Sequence, residues 1–207
     1  IKTSNPAIPP VFSADMKTFS LTKGLDIPIS GNPAPTIRAG NSIRLVALIG
    51  DDYIGMKPTM LVNVDDQVTL GQQLFTDKKN PGVVFTSPGC GRVVSINRGA
   101  RRAFESLVIE LNGDEAITFC DPAGDTAELT PQAIRELLIN SGLWPAFRTR
   151  PYGKIPVISS EPASLFITAT NSSPLAAEPQ IIIKEYQAEY QRGLEILRRL
   201  VSVPIHY

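Results

Sequence analysis

The sequence predicts an α+β chain, a β-rich N-terminal part followed by the start of an α/β part, and three observations carry that reading. Short β-branched runs at Leu61 to Val64, Val83 to Phe85 and Val93 to Ile96 are interrupted by Asp65-Asp66, Gly71, Pro81-Gly82 and Pro88-Gly89, each a turn signal. Thr130-Pro131 then opens a helical stripe of Ile134, Leu137 and Leu138 that stops at Gly142. Finally, strand-like Leu165 to Ala169, a stripe of apolar residues from Ile182 to Val201 and strand-like Val203 to Tyr207 make most of a βαβ unit.

Taken in order, the elements each have a local cause. From Thr18 to Val64, short strand candidates alternate with Gly24, Gly31-Asn32-Pro33, Gly40-Asn41 and Gly50-Asp51-Asp52, so this stretch reads as β-rich with tight turns. The central run from Pro58 to Ile96 has alternating apolar residues, with Gly, Asp and Pro at the turns. It resembles the barrel-sandwich hybrid of biotinyl and lipoyl carriers. In Phe104 to Leu111, the alternation puts Leu107, Ile109 and Leu111 on one face before Asn112-Gly113 closes the strand. A helix is predicted from about 131 to 141, with Thr130 as its cap and Pro131 at its first position. After the turn-rich loop Thr170 to Pro179, one long helix is predicted from Ile182, Tyr186, Tyr190, Leu194, Leu197 and Val201 at spacings of three and four. The domain reading is an arm at 1–15, a β-rich domain at 16–125 and an incomplete α/β domain at 126–207. The arm is Pro-rich and precedes a natural-looking start at Met16, and the βαβ unit ends in its second strand.

Composition removes several classes of function. The 207 residues carry 20 basic and 20 acidic side chains, so the positive field by which nucleic-acid binders displace counterions is missing. Two cysteines, Cys90 and Cys120, and the single His206 do not make a closed zinc site or a disulfide framework, and no cysteine cluster suits an iron–sulfur centre. No apolar run reaches the roughly 20 residues that cross a bilayer. No nucleophile elbow, P-loop or dinucleotide fingerprint occurs, so no catalytic residues are assigned.

Six segments in order carry a more specific likeness. They are Lys23 to Gly31 (KGLDIPISG), Gly55 to Met60 (GMKPTM), Gly71 to Val83 (GQQLFTDKKNPGV), Ile96 to Arg102 (INRGARR), Ser141 to Tyr152 (SGLWPAFRTRPY) and Ser173 to Pro179 (SPLAAEP). Together they resemble the A-subunit family of the sodium-translocating NADH:quinone oxidoreductase (the NQR complex), a bacterial respiratory enzyme. The resemblance implies a fold related to the flavin subunit of complex I and a peripheral position on the cytoplasmic face of the inner membrane. It also implies integral-membrane and flavin-bearing subunits as partners, in a translocase that passes electrons from NADH to a quinone such as ubiquinone and pumps sodium. NADH, flavin and iron–sulfur chemistry would then belong to other subunits, leaving this chain a scaffold with a quinone contact and no cofactor of its own.

In the complex I relatives that the resemblance brings in, a Gly-rich loop after the short helix approaches the FMN phosphate. Here Trp144, Pro145 and Phe147 occupy that place and would obstruct such an approach. Two other classes stay open at this level. One is an FMN-binding subunit fragment of a complex I-like or ferredoxin:NAD oxidoreductase, and the other a lipoyl or biotinyl carrier.

For the carrier, Asp77-Lys78-Lys79 is the candidate motif, but Lys78 lies four residues after Leu74 and ten before Pro88, off the symmetric hairpin tip that carriers use. The densest cationic and aromatic cluster is Trp144, Phe147, Arg148, Arg150, Tyr152 and Lys154. A quinone headgroup could stack on its rings and accept its hydrogen bonds, while the same residue types also build ordinary protein interfaces, which is the favoured reading. Arg98, Arg101 and Arg102 read as a solvated hairpin turn or a contact with an acidic neighbour. His206 reads as a strand residue and Cys90 as a small turn residue.

Overall fold

The computed structural model describes residues 29–120 and 129–207. The expected arm at 1–15, the segment Lys23 to Pro28 and the boundary near 125 therefore lie outside the described residues or on their edge. Two small sheets enclose one core. The first has the order β1 (Leu45–Ile49), β7 (Phe104–Gly113), β6 (Cys90–Arg98), β3 (Gln67–Val68), all antiparallel. The second has the order β2 (Pro58–Met60), β4 (Gln73–Asp77), β5 (Val84–Thr86), again antiparallel.

Alternation explains why the sheets close on each other. Along β7, Leu107 and Ile109 are fully buried while Glu105 is exposed, and Leu107 pairs with Leu48 on one side and Ile96 on the other. From the facing sheet come Leu74, Phe75 and Phe85, with Val83 just before β5. The rings of Phe75 and Phe85 stack at 4.6 Å between centroids, Tyr53 meets Phe85 edge-on at 4.7 Å, and Phe104 tilts onto Phe75 at 5.2 Å. The turns are tied by side chains. The Asp77 carboxylate accepts from the backbone N–H groups of Lys57 at 3.0 Å and Lys79 at 2.9 Å, which fixes the β4–β5 turn.

Several expected strands are displaced or missing. Leu61 to Val64 is a loop between β2 and β3, where Asp65 takes a left-handed φ of 75° and hands its N–H to Val93. Residues 29–44 contain no strand, and apolar Ile29, Ile37 and Ile43 are exposed, so periodicity alone did not find a partner edge. Past the expected strand end at Leu111, residues 115–117 run beside Leu70, with Leu70 N–H donating to Glu115 at 2.9 Å and Ile117 N–H to Leu70 at 2.9 Å.

Helix α1 (Pro131–Asn140) forms where expected, and the Thr130 hydroxyl accepts from Ala133 N–H at 3.2 Å. Its end is a Schellman turn: Gly142 N–H donates to Ile139 at 3.1 Å and Leu143 N–H to Leu138 at 2.9 Å. Gly142 has φ 75°, and a Cβ there would strike the Thr86 side chain, so glycine is required both by conformation and by space.

The expected long helix is two helices, α2 (Pro179–Glu185) and α3 (Gln187–Leu200), broken at Tyr186 with φ −108° and ψ 42°. Val201 is extended and outside the helix. The strand expected at Leu165 to Ala169 shrinks to β8 (Leu165–Phe166), and Phe166 is 69 % exposed, so it is an edge pair and no buried strand. β8 pairs in parallel with β9 (Ile205–His206), as a strand–helix–strand crossover requires. His206 is a strand residue there, stacked on Phe166 at 4.7 Å.

Candidate functional site

The cluster at 144–154 begins in the turn that follows α1, and the structure divides it into a buried part and an exposed part. Trp144 and Pro145 sit in a short 3-10 turn (Trp144–Ala146) and are buried against the barrel. The indole N–H of Trp144 donates to the Pro156 carbonyl at 3.0 Å, satisfying the group that burial would otherwise leave unpaired. Phe147 meets Trp144 edge-on at 5.3 Å, and the Arg135 guanidinium lies 5.5 Å from the indole centroid. Arg135 also donates to the carbonyls of Ile158 at 2.7 Å and Ser160 at 3.2 Å and pairs with Glu161. Trp144, at 4 % exposure, is thus a packing hub between α1, the barrel and the 155–161 segment.

The remaining four residues reach solvent. Arg148 lies 5.7 Å from the Tyr53 ring centroid and donates to the carbonyls of Phe147 at 3.1 Å and Asp52 at 3.3 Å, joining the 144–154 segment to the loop after β1. Arg150 is exposed and precedes the cis peptide to Pro151. Tyr152, 75 % exposed, stands at the tip of a tight loop closed by Gly153 N–H donating to Thr149 at 2.7 Å and Thr149 N–H donating to Lys154 at 2.8 Å. Lys154 is exposed beside a small cleft.

The side chains of this face are polar and aromatic. Tyr53 is half-buried, and desolvation pushes its phenol above the ordinary value; the neighbouring Asp52 adds to that rise and the Arg148 guanidinium opposes it. The shift keeps the phenol neutral further into the alkaline range than an exposed tyrosine. Among the described residues, no group of three or more His, Cys, Asp or Glu side chains is placed to hold a metal ion. Lys78 lies exposed in the β4–β5 turn, its backbone N–H donating to the Lys57 carbonyl at 2.8 Å. Cys90 is the first residue of β6 and Cys120 is exposed, and both thiols are free.

Sequence reasoning missed Tyr53, Arg135 and Thr86. Thr86 donates its hydroxyl proton to the Ser141 carbonyl at 3.0 Å, and thereby holds the end of α1 against the barrel. These residues are distant from the cluster in sequence or lie outside its run, and no local pattern marks them.

Fold and site together define a barrel-sandwich hybrid domain joined through a buried tryptophan hub to an α/β unit. A family model described as the NqrA N-terminal barrel-sandwich hybrid domain matches residues 19–112, and one described as the NqrA second alpha/beta domain matches residues 129–207. The chain belongs to the NqrA family. It is 49 % identical over 185 residues to the A-subunit of the Na(+)-translocating NADH-quinone reductase of Actinobacillus pleuropneumoniae serotype 5b, covering 89 % of this chain and 41 % of that protein. The proteins of the same name from Haemophilus influenzae (strain PittEE) and Pseudomonas aeruginosa (strain UCBPP-PA14) are 47 % and 52 % identical. These matches cover 91 % and 89 % of this chain, and 42 % of each relative. The chain thus spans about two fifths of the length of these curated relatives.

Proposed function

We propose that this chain is a peripheral scaffold of a sodium-pumping NADH:quinone reductase on the cytoplasmic face of the bacterial inner membrane. It docks the integral-membrane and flavin-bearing subunits, offers a quinone or interface contact, and holds no flavin or iron–sulfur centre of its own. The observation that carries this reading is the pair of family models running in order over most of the chain, with relatives of one name at about half identity. Two structural features support the finer points. No helix among the described residues is long and apolar enough to cross a membrane, so attachment through other subunits is a natural mode. The resemblance to flavin-binding relatives would put their phosphate-cradling loop after α1, and the residues here form the Trp144–Ala146 turn with Trp144 and Pro145 buried, an arrangement poorly suited to meeting a phosphate with backbone amides.

The exposed members of the cluster, Arg148, Arg150, Tyr152 and Lys154, form the contact in this proposal, with Trp144 and Phe147 as the packed base beneath them. The test is affinity purification of the full-length protein from membranes, with identification of partners and an absorbance spectrum of the isolated polypeptide. Integral-membrane flavoprotein partners and a colourless polypeptide are expected. A yellow soluble protein without membrane partners would return the chain to the flavoenzyme class. In the assembled complex, Tyr152→Ala should raise the KM for quinone if the face meets the headgroup, and weaken retention of this chain if it meets a protein.

A further inference from the structure

The edges of the two barrel sheets are not built alike. β2 opens on Pro58, which brings no N–H to a ladder. β3 is two residues long, and the Asp65 turn just before it is tied to the Val93 carbonyl. β5 is joined to the end of α1, where the Thr86 hydroxyl donates to the Ser141 carbonyl. β1 is the exception: its five residues, Leu45 to Ile49, contain no proline and no charge, and its register with β7 has no bulge. Native sheets blunt an edge with proline, charge, shortness or a covering segment, and an edge with none of these is a template for another strand.

The hydrogen-bond register defines what β1 offers. Leu111 N–H donates to the Arg44 carbonyl at 2.8 Å, so Arg44, Val46 and Leu48 turn their backbone groups to β7, and Leu45, Ala47 and Ile49 turn theirs outward. Among the described residues, no hydrogen bond reaches those outward groups. The same three residues have exposed side chains, whereas Leu48 is buried. Both ends of the strand are anchored on the β7 side. Arg44 pairs with Glu110 at 3.4 Å, and Gly50 sits so close to the Phe104 carbonyl that a Cβ would strike it, so neither anchor crosses the open edge.

We propose that β1 is a self-association edge, on which a second copy of this chain pairs its own β1 antiparallel about a two-fold axis at Ala47. The open edge is self-complementary in this register. Ala47 faces Ala47 of the second copy, Leu45 faces its Ile49, and each of the three outward residues donates and accepts across the axis. Moving the axis to Val46 or Leu48 sets an end residue against a position outside the strand. Orientation follows the local charges, since β1 begins beside Arg44 and ends beside Asp51 and Asp52, and antiparallel pairing sets these unlike ends together. Arg101 and Arg102 share a cleft with Asp51 and reduce this ionic contribution, so the backbone register and the apolar Leu45–Ile49 pairs carry most of the contact. A five-residue edge is a small interface, and the dimer is therefore reversible and concentration-dependent. The inference goes beyond the scaffold role and does not rest on it.

The test is sedimentation of the full-length protein over a range of concentrations, with amide hydrogen exchange read residue by residue in β1. A monomer–dimer equilibrium is expected, in which the amides of Leu45, Ala47 and Ile49 slow as dimer forms while those of Val46 and Leu48 are protected throughout. Ala47→Pro removes only an outward N–H, and should weaken the dimer about tenfold or more, because the pair loses two backbone hydrogen bonds at the axis. Two double variants at exposed positions test the register with native circular dichroism as the control. Leu45→Lys/Ile49→Lys sets like charges opposite each other and should be monomeric, whereas Leu45→Lys/Ile49→Glu sets unlike charges opposite and should still associate. A monomer at every concentration overturns the proposal; if its outward amides are nevertheless protected, the edge is covered by the chain's own residues. A dimer indifferent to Ala47→Pro, or equal association of the two double variants, overturns it too and moves the contact to another face. Protection of Leu45, Ala47 and Ile49 that arises only in the assembled membrane complex also overturns it, and assigns the edge to a strand of another subunit.

Discussion

The barrel and the βαβ unit of this chain differ sharply in how they are held. Between residues 45 and 113, two antiparallel sheets share a core in which Leu74, Phe75, Val83, Val93, Leu107 and Ile109 have no exposure at all. Between residues 165 and 207, only Leu200 is buried, and the sheet consists of two residues from each of β8 and β9. Phe166, Ile182 and Tyr186 are each more than half exposed. An apolar stripe therefore states which face an element can bury, and the packing partner decides whether it is buried. The barrel supplies its own partners through hairpins, whereas the βαβ unit leans on α1 through α3 and on little else among the described residues.

The largest effect that would test this contrast comes from the barrel. Phe85→Ala removes a ring that contacts both Phe75 and Tyr53, and should cost about 3–5 kcal/mol in urea denaturation of the full-length protein. A loss no larger than that from α3 would erase the distinction. In α3, Leu200→Ala should cost about 2 kcal/mol, at the low end for such a truncation, because half-exposed neighbours can relax into the space. Hydrogen exchange should then accelerate in α3 and β9 while the β6–β7 amides keep their protection.

The joint between the two regions should respond next. Gly142→Ala places a Cβ against Thr86 in a left-handed conformation, and a loss of about 1–2 kcal/mol is expected by thermal unfolding. Adding Thr86→Ala should recover part of it, and a strictly additive double mutant would place the strain elsewhere.

The smallest effect is a pH dependence at Tyr53. Its phenol pKa is raised in the folded state, chiefly by burial, so the unfolded chain loses this proton first. Stability contributed by the protonated form is intact below the ordinary phenol value near 10 and declines as pH rises through the higher folded value. Tyr53→Phe should flatten that alkaline decline in denaturation curves taken across the range, and an unchanged slope would assign the decline to other groups.

Much of the barrel was legible because its causes are local. Turn residues at Asp65, Gly71 and Pro81-Gly82 punctuate the chain, and the alternation of Leu107 and Ile109 marks the inward face of β7. Helix α1 was legible at both ends, through Thr130 and Gly142. The single long helix was misread because the spacing of Ile182, Tyr186 and Tyr190 continues across Tyr186, and periodicity contains no information on a break in backbone angles. Strands at 29–44 were misread for a related reason: turn signals and β-branched residues describe a strand's conformation and say nothing about an available edge. Of the aromatic and cationic cluster, the sequence located the segment, and the division into a buried Trp144 hub and an exposed Arg148 to Lys154 face came from packing.

By itself the sequence determined the α+β class, the barrel-sandwich grammar, the capped helix and the family, since each rests on short-range spacing or on ordered motifs. Only the tertiary structure decided that Arg135 covers Trp144, that Thr86 demands a glycine at 142, and that Lys57, Lys79 and the Arg98 to Arg102 turn converge on one cleft. Most of those groups are far apart along the chain, and their meeting depends on how two sheets and a helix pack, which no window of the sequence contains.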